Sequence, residues 1–174
     1  MTLDTKEALR AYYLKKRLEL SQERVKEASK KILDQLKELK VFKEASNVAI
    51  YFPIKNEIDV TELIKVKRLL LPRVANRDLI FSYVSSYDSL LKSKFGINEP
   101  DQSQQAIDKA EIDLIIVPGI VFSKNKKRIG YGAGFYDLFL KDYKGTSIGV
   151  CFSEFIVDFQ SSDYDIACDI LMEG

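Results

Sequence analysis

Leu114-Ile115-Ile116-Val117, closed by Pro118-Gly119, is the stretch that decides the fold. Four consecutive apolar residues, mostly β-branched and stopped by a turn signal, read as a strand buried on both faces. Working outward, the same reading recurs. Val48-Ala49-Ile50-Tyr51-Phe52 stops at Pro53, Arg68-Leu69-Leu70-Leu71 stops at Pro72, and Ser147 to Phe152 and Ile170-Leu171-Met172 follow later in the chain. Leu79 to Val84 alternates and predicts a half-buried strand. The intervening segments read as helix. Asp4 to Lys40 opens with Asp4 and Glu7 at capping-box spacing, and Ser21 caps a second helix carrying Val25, Ile32, Leu36 and Leu39. Asp59 and Glu62 open a short helix to Lys67, Ser85 to Ser93 predicts another, and Tyr131 to Tyr143 follows a run of glycines. Lys94 to Ala106 is polar and reads as a long loop. Strands near 48, 69, 115 and 148, separated by helices or long crossovers, predict an α/β fold: three layers, α/β/α, around a mostly parallel, Rossmann-like central sheet. The length of 174 residues fits a single domain over 1–174.

Composition narrows the chemistry. Apolar residues make up 46% and charged residues 30%, an ordinary globular balance. Lys+Arg is 27 against Asp+Glu 26, so no global basic field favours nucleic acid. No stretch of 18 apolar residues suggests a membrane span, and the chain is expected to be cytoplasmic. Histidine is absent, which removes imidazole bases, Ser-His and Cys-His dyads and His-ligated metals. Cys151 and Cys168 are too few for a Cys-only zinc site, and their apolar neighbours predict buried, reduced thiols. Catalysis is left to Asp, Glu, Lys, Arg, hydroxyls, backbone amides or a hard cation.

Ligands of such sheets lie at the carboxyl ends of the strands. Here these are Phe52 to Glu57, Pro72-Arg73, Pro118 to Phe122 and Phe152-Ser153. The informative stretch is Lys126-Lys127-Arg128-Ile129-Gly130-Tyr131-Gly132-Ala133-Gly134-Phe135-Tyr136-Asp137. Glycines let backbone amides approach a phosphate, a helix start adds positive potential, and three cations precede them. The spacing is neither the dinucleotide nor the Walker pattern, so a tight turn competes with a phosphate loop. Asp137 either compensates the helix dipole or binds Mg²⁺, with Asp165 or Asp169 as a second carboxylate. Lys6 and Arg10 are four apart and point the same way, a pattern that ordinarily faces solvent. Glu57 follows a strand-ending proline and is suited to the amino group of a heterocycle. Tyr51, Phe52, Phe122, Tyr131 and Phe135 are core or ligand-stacking rings.

In order, these blocks resemble the 5-formyltetrahydrofolate cyclo-ligase (methenyltetrahydrofolate synthetase) family over about residues 6–173. The resemblance is carried by Lys6, Arg10 and Arg17; Tyr51 to Asp59; Leu71-Pro72-Arg73; Phe95-Gly96-Ile97-Asn98-Glu99-Pro100; Asp113 to Phe122 followed by Arg128 to Asp137; and Asp165 with Asp169. Ser123, Lys126, Leu138 and Tyr164 depart from it, standing where the family often has Asp, Gly, Arg and His. The resemblance implies conversion of 5-formyltetrahydrofolate and ATP to 5,10-methenyltetrahydrofolate, ADP and phosphate. It assigns Lys6, Arg10, Arg128, Gly130, Gly132, Gly134 and Tyr136 to ATP. Phe52, Glu57, Tyr131, Gly132, Gly134 and Phe135 fall to the folate, and Mg²⁺ to Asp137 and Asp165. Arg128, Tyr136 and Asp137 would act in the chemical step. No nucleic acid or membrane partner is implied, and a monomer is expected, with a dimer as the alternative. Two other readings fit the same sheet: a catalytically silent folate- or nucleotide-binding regulator, and a sugar-phosphate isomerase needing no ATP.

Overall fold

The computed structural model describes residues 4–94 and 96–174; Phe95, which opens one of the blocks above, lies outside the described residues. The chain begins with helices α1 (Lys6–Leu18), α2 (Gln22–Glu38) and α3 (Lys40–Glu44). Strands β1 (Val48–Ala49), β2 (Leu69–Ala75), β3 (Asp78–Val84), β4 (Leu91–Lys92), β5 (Asn98–Glu99), β6 (Ala106–Ile107) and β7 (Leu114–Val117) follow. After these come β8 (Val121–Phe122), β9 (Arg128–Ile129), α4 (Phe135–Leu140), β10 (Thr146–Cys151) and β11 (Ile170–Glu173). The main sheet has the order β11-β10-β7-β1-β2-β3-β6. Its pairings are parallel from β11 through β2, and antiparallel at β2–β3 and β3–β6. The mostly parallel α/β sheet is therefore as expected, extended by a hairpin on one side.

Alternation along the strands sorts the core into two layers. Val48, Leu69, Leu71, Leu114 and Ile116 face one side, where Val25, Ile32 and Leu36 of α2 and Phe42 of α3 cover them. Ala49, Leu70, Ile115 and Val117 face the other, against Phe139 and Leu140 of α4. A smaller cluster of Leu9, Ile120, Val121 and Ile129 seats α1 on the β8–β9 hairpin, beyond the carboxyl end of β7. No helix is long and apolar enough to cross a membrane among the described residues. Cys151 and Cys168 are buried free thiols, as expected, and burial pushes both up, Cys151 to about 12 and Cys168 to about 11.

Several boundaries differ from the sequence reading, each for a local reason. Thr5, not Asp4, caps α1, its hydroxyl accepting from the Ala8 amide at 3.1 Å. The short helix expected from Asp59 is a 3-10 turn over Thr61–Lys65, with Asp59 accepting from the Thr61 amide at 2.8 Å. Pro72 does not end its strand: β2 runs through it to Ala75, with Pro72 paired to Phe81. The Leu70 carbonyl accepts from the Ile50 amide at 2.9 Å, so residue 72, two further on, turns its nitrogen toward the same neighbour. The β1 pairing has ended there, and a proline leaves no amide without an acceptor. The helix expected over Ser85 to Ser93 is a 3-10 turn at Tyr87–Ser89 followed by β4, because Ser86 bonds the Asp88 amide and Leu91 pairs with Glu99. The helix expected to Tyr143 ends at Leu140, and the Tyr143 hydroxyl turns to the Ile112 carbonyl at 3.0 Å.

The β8–β9 hairpin, unforeseen in the sequence, explains one departure from the family pattern. Lys126 sits in its turn with φ +62, a left-handed conformation that favours glycine. Lys126→Gly should therefore stabilise the chain by about 0.5–1 kcal/mol. The loss of the Lys126 Nζ bond to the Asp169 carbonyl, at an exposed position, offsets only part of this gain. A rise of about 1–3 °C in melting temperature is expected, and a fall would show that the bond outweighs the strain.

Candidate functional site

α1 builds the site. Lys6, Arg10 and Arg17 are separated by four and seven residues, so at 100° per residue they lie within about 40° of one another. Leu9 and Tyr13 lie on the same side and pack inward. The cations thus share the packed face, contrary to the solvated reading that their spacing ordinarily carries. Each meets a different part of the carboxyl edge. Lys6 donates to Asp165 Oδ2. Arg10 Nε donates to the Gly130 carbonyl at 2.7 Å. Arg17 is 1% exposed, and its Nε and Nη1 reach the Lys55 and Gly119 carbonyls at 2.9 and 3.0 Å. Its Nη2 donates to the Tyr131 hydroxyl.

Glu57 lies against Arg17. Oε2 accepts from the Ile54 amide at 3.0 Å, Oε1 accepts from the Tyr131 hydroxyl at 3.1 Å, and Arg17 Nη2 stands 3.7 Å away. Lys55 and Asn56 hold positive φ of 50 and 57, which folds the segment after Pro53 back on itself. Asn56 Nδ2 donates to the Arg17 carbonyl at 3.2 Å and also contacts the last carbonyls of α1, tying this loop to the helix end. Burial pushes the Glu57 carboxyl up, against the pull of Arg17, the Ile54 amide and Tyr131. Phe52 lies nearby in sequence, its ring edge-on to Tyr87 at 5.6 Å.

A second charged pair lies beyond the glycine loop. Arg128, 5% exposed, makes a two-point contact with Asp137, 3.1 Å at each oxygen. Asp137 Oδ1 also accepts from the Ile166 amide at 3.1 Å, which brings Asp137 beside the residue following Asp165. The half-buried Tyr136 ring lies 5.5 Å from the Arg128 guanidinium, and burial pushes its phenol well up. Burial also works to raise Asp165, but the bond from Lys6 and the amide of Ser162 hold it below the ordinary carboxylate range.

The loop between these pairs alternates glycines with Tyr131 and Ala133. Gly132 and Gly134 have φ of +103 and +72, which the turn into α4 requires. Gly130 has no such need, and a Cβ there would meet nothing within 4 Å. Neither packing nor a left-handed conformation demands a glycine at 130. Phe135 is half-buried at the start of α4.

The expected residues thus fall into two groups on one edge. Lys6, Arg10, Arg128, Tyr136, Asp137 and Asp165 surround the Gly130–Gly134 loop, while Glu57 and Tyr131 meet at Arg17. Asp169, the alternative second carboxylate, is instead occupied by Ser147, whose amide and hydroxyl it accepts at 2.8 and 2.7 Å. Arg17, to which the resemblance gave no ligand, also meets this edge, beside Glu57 and Tyr131. Its signal was available: it falls seven residues after Arg10, on the same stripe. The cavity beside Glu57 measures about 10 Å³, bordered by Arg17, Tyr51 and Gly119. A larger cleft of about 300 Å³ lies elsewhere, between β3, β6 and α4, lined by Leu79, Phe81, Ile107 and Phe139, and it shares no residue with the site.

Comparison with known proteins identifies the family. The profile of the 5-formyltetrahydrofolate cyclo-ligase family matches residues 2–159. A solved structure from Aquifex aeolicus, named 5,10-methenyltetrahydrofolate synthetase, is 36% identical and superposes with a TM-score of 0.85, covering 98% of this chain and 89% of that one. Its namesake from Mycoplasma pneumoniae is 27% identical with a TM-score of 0.77, covering 95% and 96%. The 5-formyltetrahydrofolate cyclo-ligase of Mycoplasma genitalium is 26% identical over 174 residues, 96% of each chain. With the family profile matched over residues 2–159 and the fold shared with a solved methenyltetrahydrofolate synthetase, the chain belongs to the 5-formyltetrahydrofolate cyclo-ligase family of enzymes.

Proposed function

We propose that this chain closes 5-formyltetrahydrofolate to 5,10-methenyltetrahydrofolate with consumption of ATP, releasing ADP and phosphate. The observation that carries the reading is the setting of the glycine-rich Gly130–Gly134 loop: two cation–carboxylate pairs, Lys6–Asp165 and Arg128–Asp137, flank it. A polyphosphate is recognised by cations and amides, and each pair can release its cation to a phosphate oxygen. The carboxylates freed in that exchange fit Mg²⁺, a hard cation that takes one or two carboxylates together with phosphate oxygens. Among the described residues no cluster of three or more candidate ligands forms an all-protein cage, and a cation shared with a nucleotide needs none. Asp137 and Asp165 would hold it. When bound, Mg²⁺ supplies charge neutralisation to the phosphates.

The formamide carbon of the substrate is a poor electrophile, and its oxygen is a poor leaving group. Phosphoryl transfer to that oxygen solves both problems: N10 attacks the activated carbon and phosphate departs. No protein nucleophile is required, which suits a chain without histidine. Lys6 and Arg10 grip the nucleotide phosphates. Arg128 and the loop amides stabilise charge on the transferring group. Tyr136 supports the Arg128 guanidinium from below. Glu57 accepts hydrogen bonds from the pterin, with Phe52, Tyr131 and Phe135 lining its ring and side arm. Since Tyr131 donates to Glu57 and the adjoining cavity holds about one water, a pterin reaching Glu57 displaces that hydroxyl.

The test is the appearance of methenyl-folate absorbance on mixing the chain with 5-formyltetrahydrofolate, ATP and Mg²⁺. No signal, or a signal independent of ATP, would overturn the proposal. Glu57→Gln should raise the folate KM about ten- to a hundredfold, from loss of charge-assisted bonds worth roughly 1.5–3 kcal/mol. The ATP KM should stay within a few-fold, and equal rises for both substrates would remove Glu57 from the pterin.

A further inference from the structure

We propose that Arg17 is a positioning residue of the folate site, holding Glu57 and Tyr131 in place from α1. The inference rests on the reading that Glu57 binds the pterin, and extends it to a residue outside the assigned set. A surface arginine on a helix meets water. This one is 1% exposed and spends its donors on four partners from three separate segments. Its Nε bonds the Lys55 carbonyl, on the loop that carries Glu57. Its Nη1 bonds the Gly119 carbonyl, just past β7. Its Nη2 bonds the Tyr131 hydroxyl and stands 3.7 Å from Glu57 Oε1. The tyrosine in turn donates to that oxygen, so guanidinium, phenol and carboxylate form a chain.

This geometry serves two ends. The first is alignment. A planar fork that bonds two carbonyls and a hydroxyl at once fixes the loop bearing Glu57 relative to β7 and the glycine loop. The second is charge. Glu57 is itself buried, and a buried carboxylate without a cation takes up a proton near neutrality. The groups facing it are Arg17 from α1, Tyr131 from the glycine loop, Lys55 from its own loop, Tyr51 after β1 and Tyr136 from α4. Burial pushes all three phenols well up, so none carries charge near neutral pH. Lys55 is exposed. Arg17 is the buried cation that opposes the upward push of burial on Glu57 and favours the carboxylate that accepts from the substrate.

The test uses the full chain with Arg17→Gln and Arg17→Lys, measuring KM for 5-formyltetrahydrofolate and for ATP between pH 6 and 8.5. For the wild type, the folate KM should change across this range by less than it does in Arg17→Gln. Arg17→Gln removes the charge, so Glu57 is protonated as pH falls, and the folate KM should rise at least tenfold from pH 8.5 to 6. Adding Glu57→Gln to that variant should flatten the profile. Arg17→Lys keeps the charge but cannot make all the contacts of the fork. Its folate KM should be raised several-fold and vary with pH no more steeply than that of the wild type, which carries the test even if Arg17→Gln fails to fold. The ATP KM should stay within threefold of wild type in every variant. An unaltered folate KM in Arg17→Lys, a flat profile in a folded Arg17→Gln, or parallel rises for both substrates would overturn the inference. If Glu57→Gln alone leaves the folate KM unchanged, the pterin reading fails instead.

Discussion

Asp137→Asn should lower turnover by about 10²–10³, the equivalent of roughly 3–4 kcal/mol of transition-state stabilisation. The amide fits where the carboxylate stood, so the loss reports charge rather than shape. The substitution should also cost stability. Arg128 is 5% exposed and its charge is matched by Asp137 at both oxygens. Removing one partner of a buried pair typically costs about 3–5 kcal/mol, and the partial exposure of Asp137 reduces this to about 2–3 kcal/mol. The remaining amide oxygen still accepts from Ile166. A drop of about 5–10 °C in melting temperature follows for a chain of this length. Activity and stability are separated by assaying well below the transition, with Mg²⁺ varied. Near wild-type turnover at limiting Mg²⁺ would remove Asp137 from metal binding and leave it as the partner of Arg128 alone.

Lys6→Ala combined with Arg10→Ala should weaken ATP binding about 30- to 150-fold at low salt, on the basis of roughly 1–1.5 kcal/mol for each phosphate contact. The two side chains are about a quarter exposed, so they are accessible to a ligand and contribute little to the fold. The melting temperature should move by only a few degrees. Calorimetric titration at two salt concentrations provides the check. The gap between variant and wild type should narrow as salt rises, because screening weakens the wild-type contacts too. Unchanged affinity at low salt would leave Arg128 and the loop amides as the nucleotide's grip.

The parallel core of the fold was legible because buried parallel strands are written as uninterrupted apolar runs, and Leu114–Val117 is one. The edge was not. Pro72 looked like a terminator, and only the early end of β1 pairing shows why it is tolerated inside β2. The β8–β9 hairpin is two residues a side, too short for any periodicity to register. At the site, carboxylates and glycines stood out by type and spacing. Which cation met which carboxylate did not, because Lys6 and Asp165 are 159 residues apart and only the fold joins them. Arg17 lies on the stripe of Lys6 and Arg10, so its place was legible but its burial was not. A buried arginine is uncommon, and nothing in composition separates it from its exposed neighbours Lys15 and Lys16.

The common origin of the three cations on α1 has a consequence for how the two reactants are spaced. Seven residues of helix separate Arg10 from Arg17, about 10.5 Å along the axis. That interval is set by backbone hydrogen bonds, and an α-helix neither stretches nor twists cheaply. The helix works as a gauge bar: one end is fastened to the glycine loop through Gly130, the other to the Glu57 loop through Lys55 and Asn56. The handles for phosphate and for pterin then keep a fixed separation even when either loop shifts to admit its ligand. Changing the number of residues between them by one would swing the handles about 100° out of phase, whatever the side chains. On the proposed assignment of phosphate and pterin, the register of one short helix sets the reach between the two halves of the reaction.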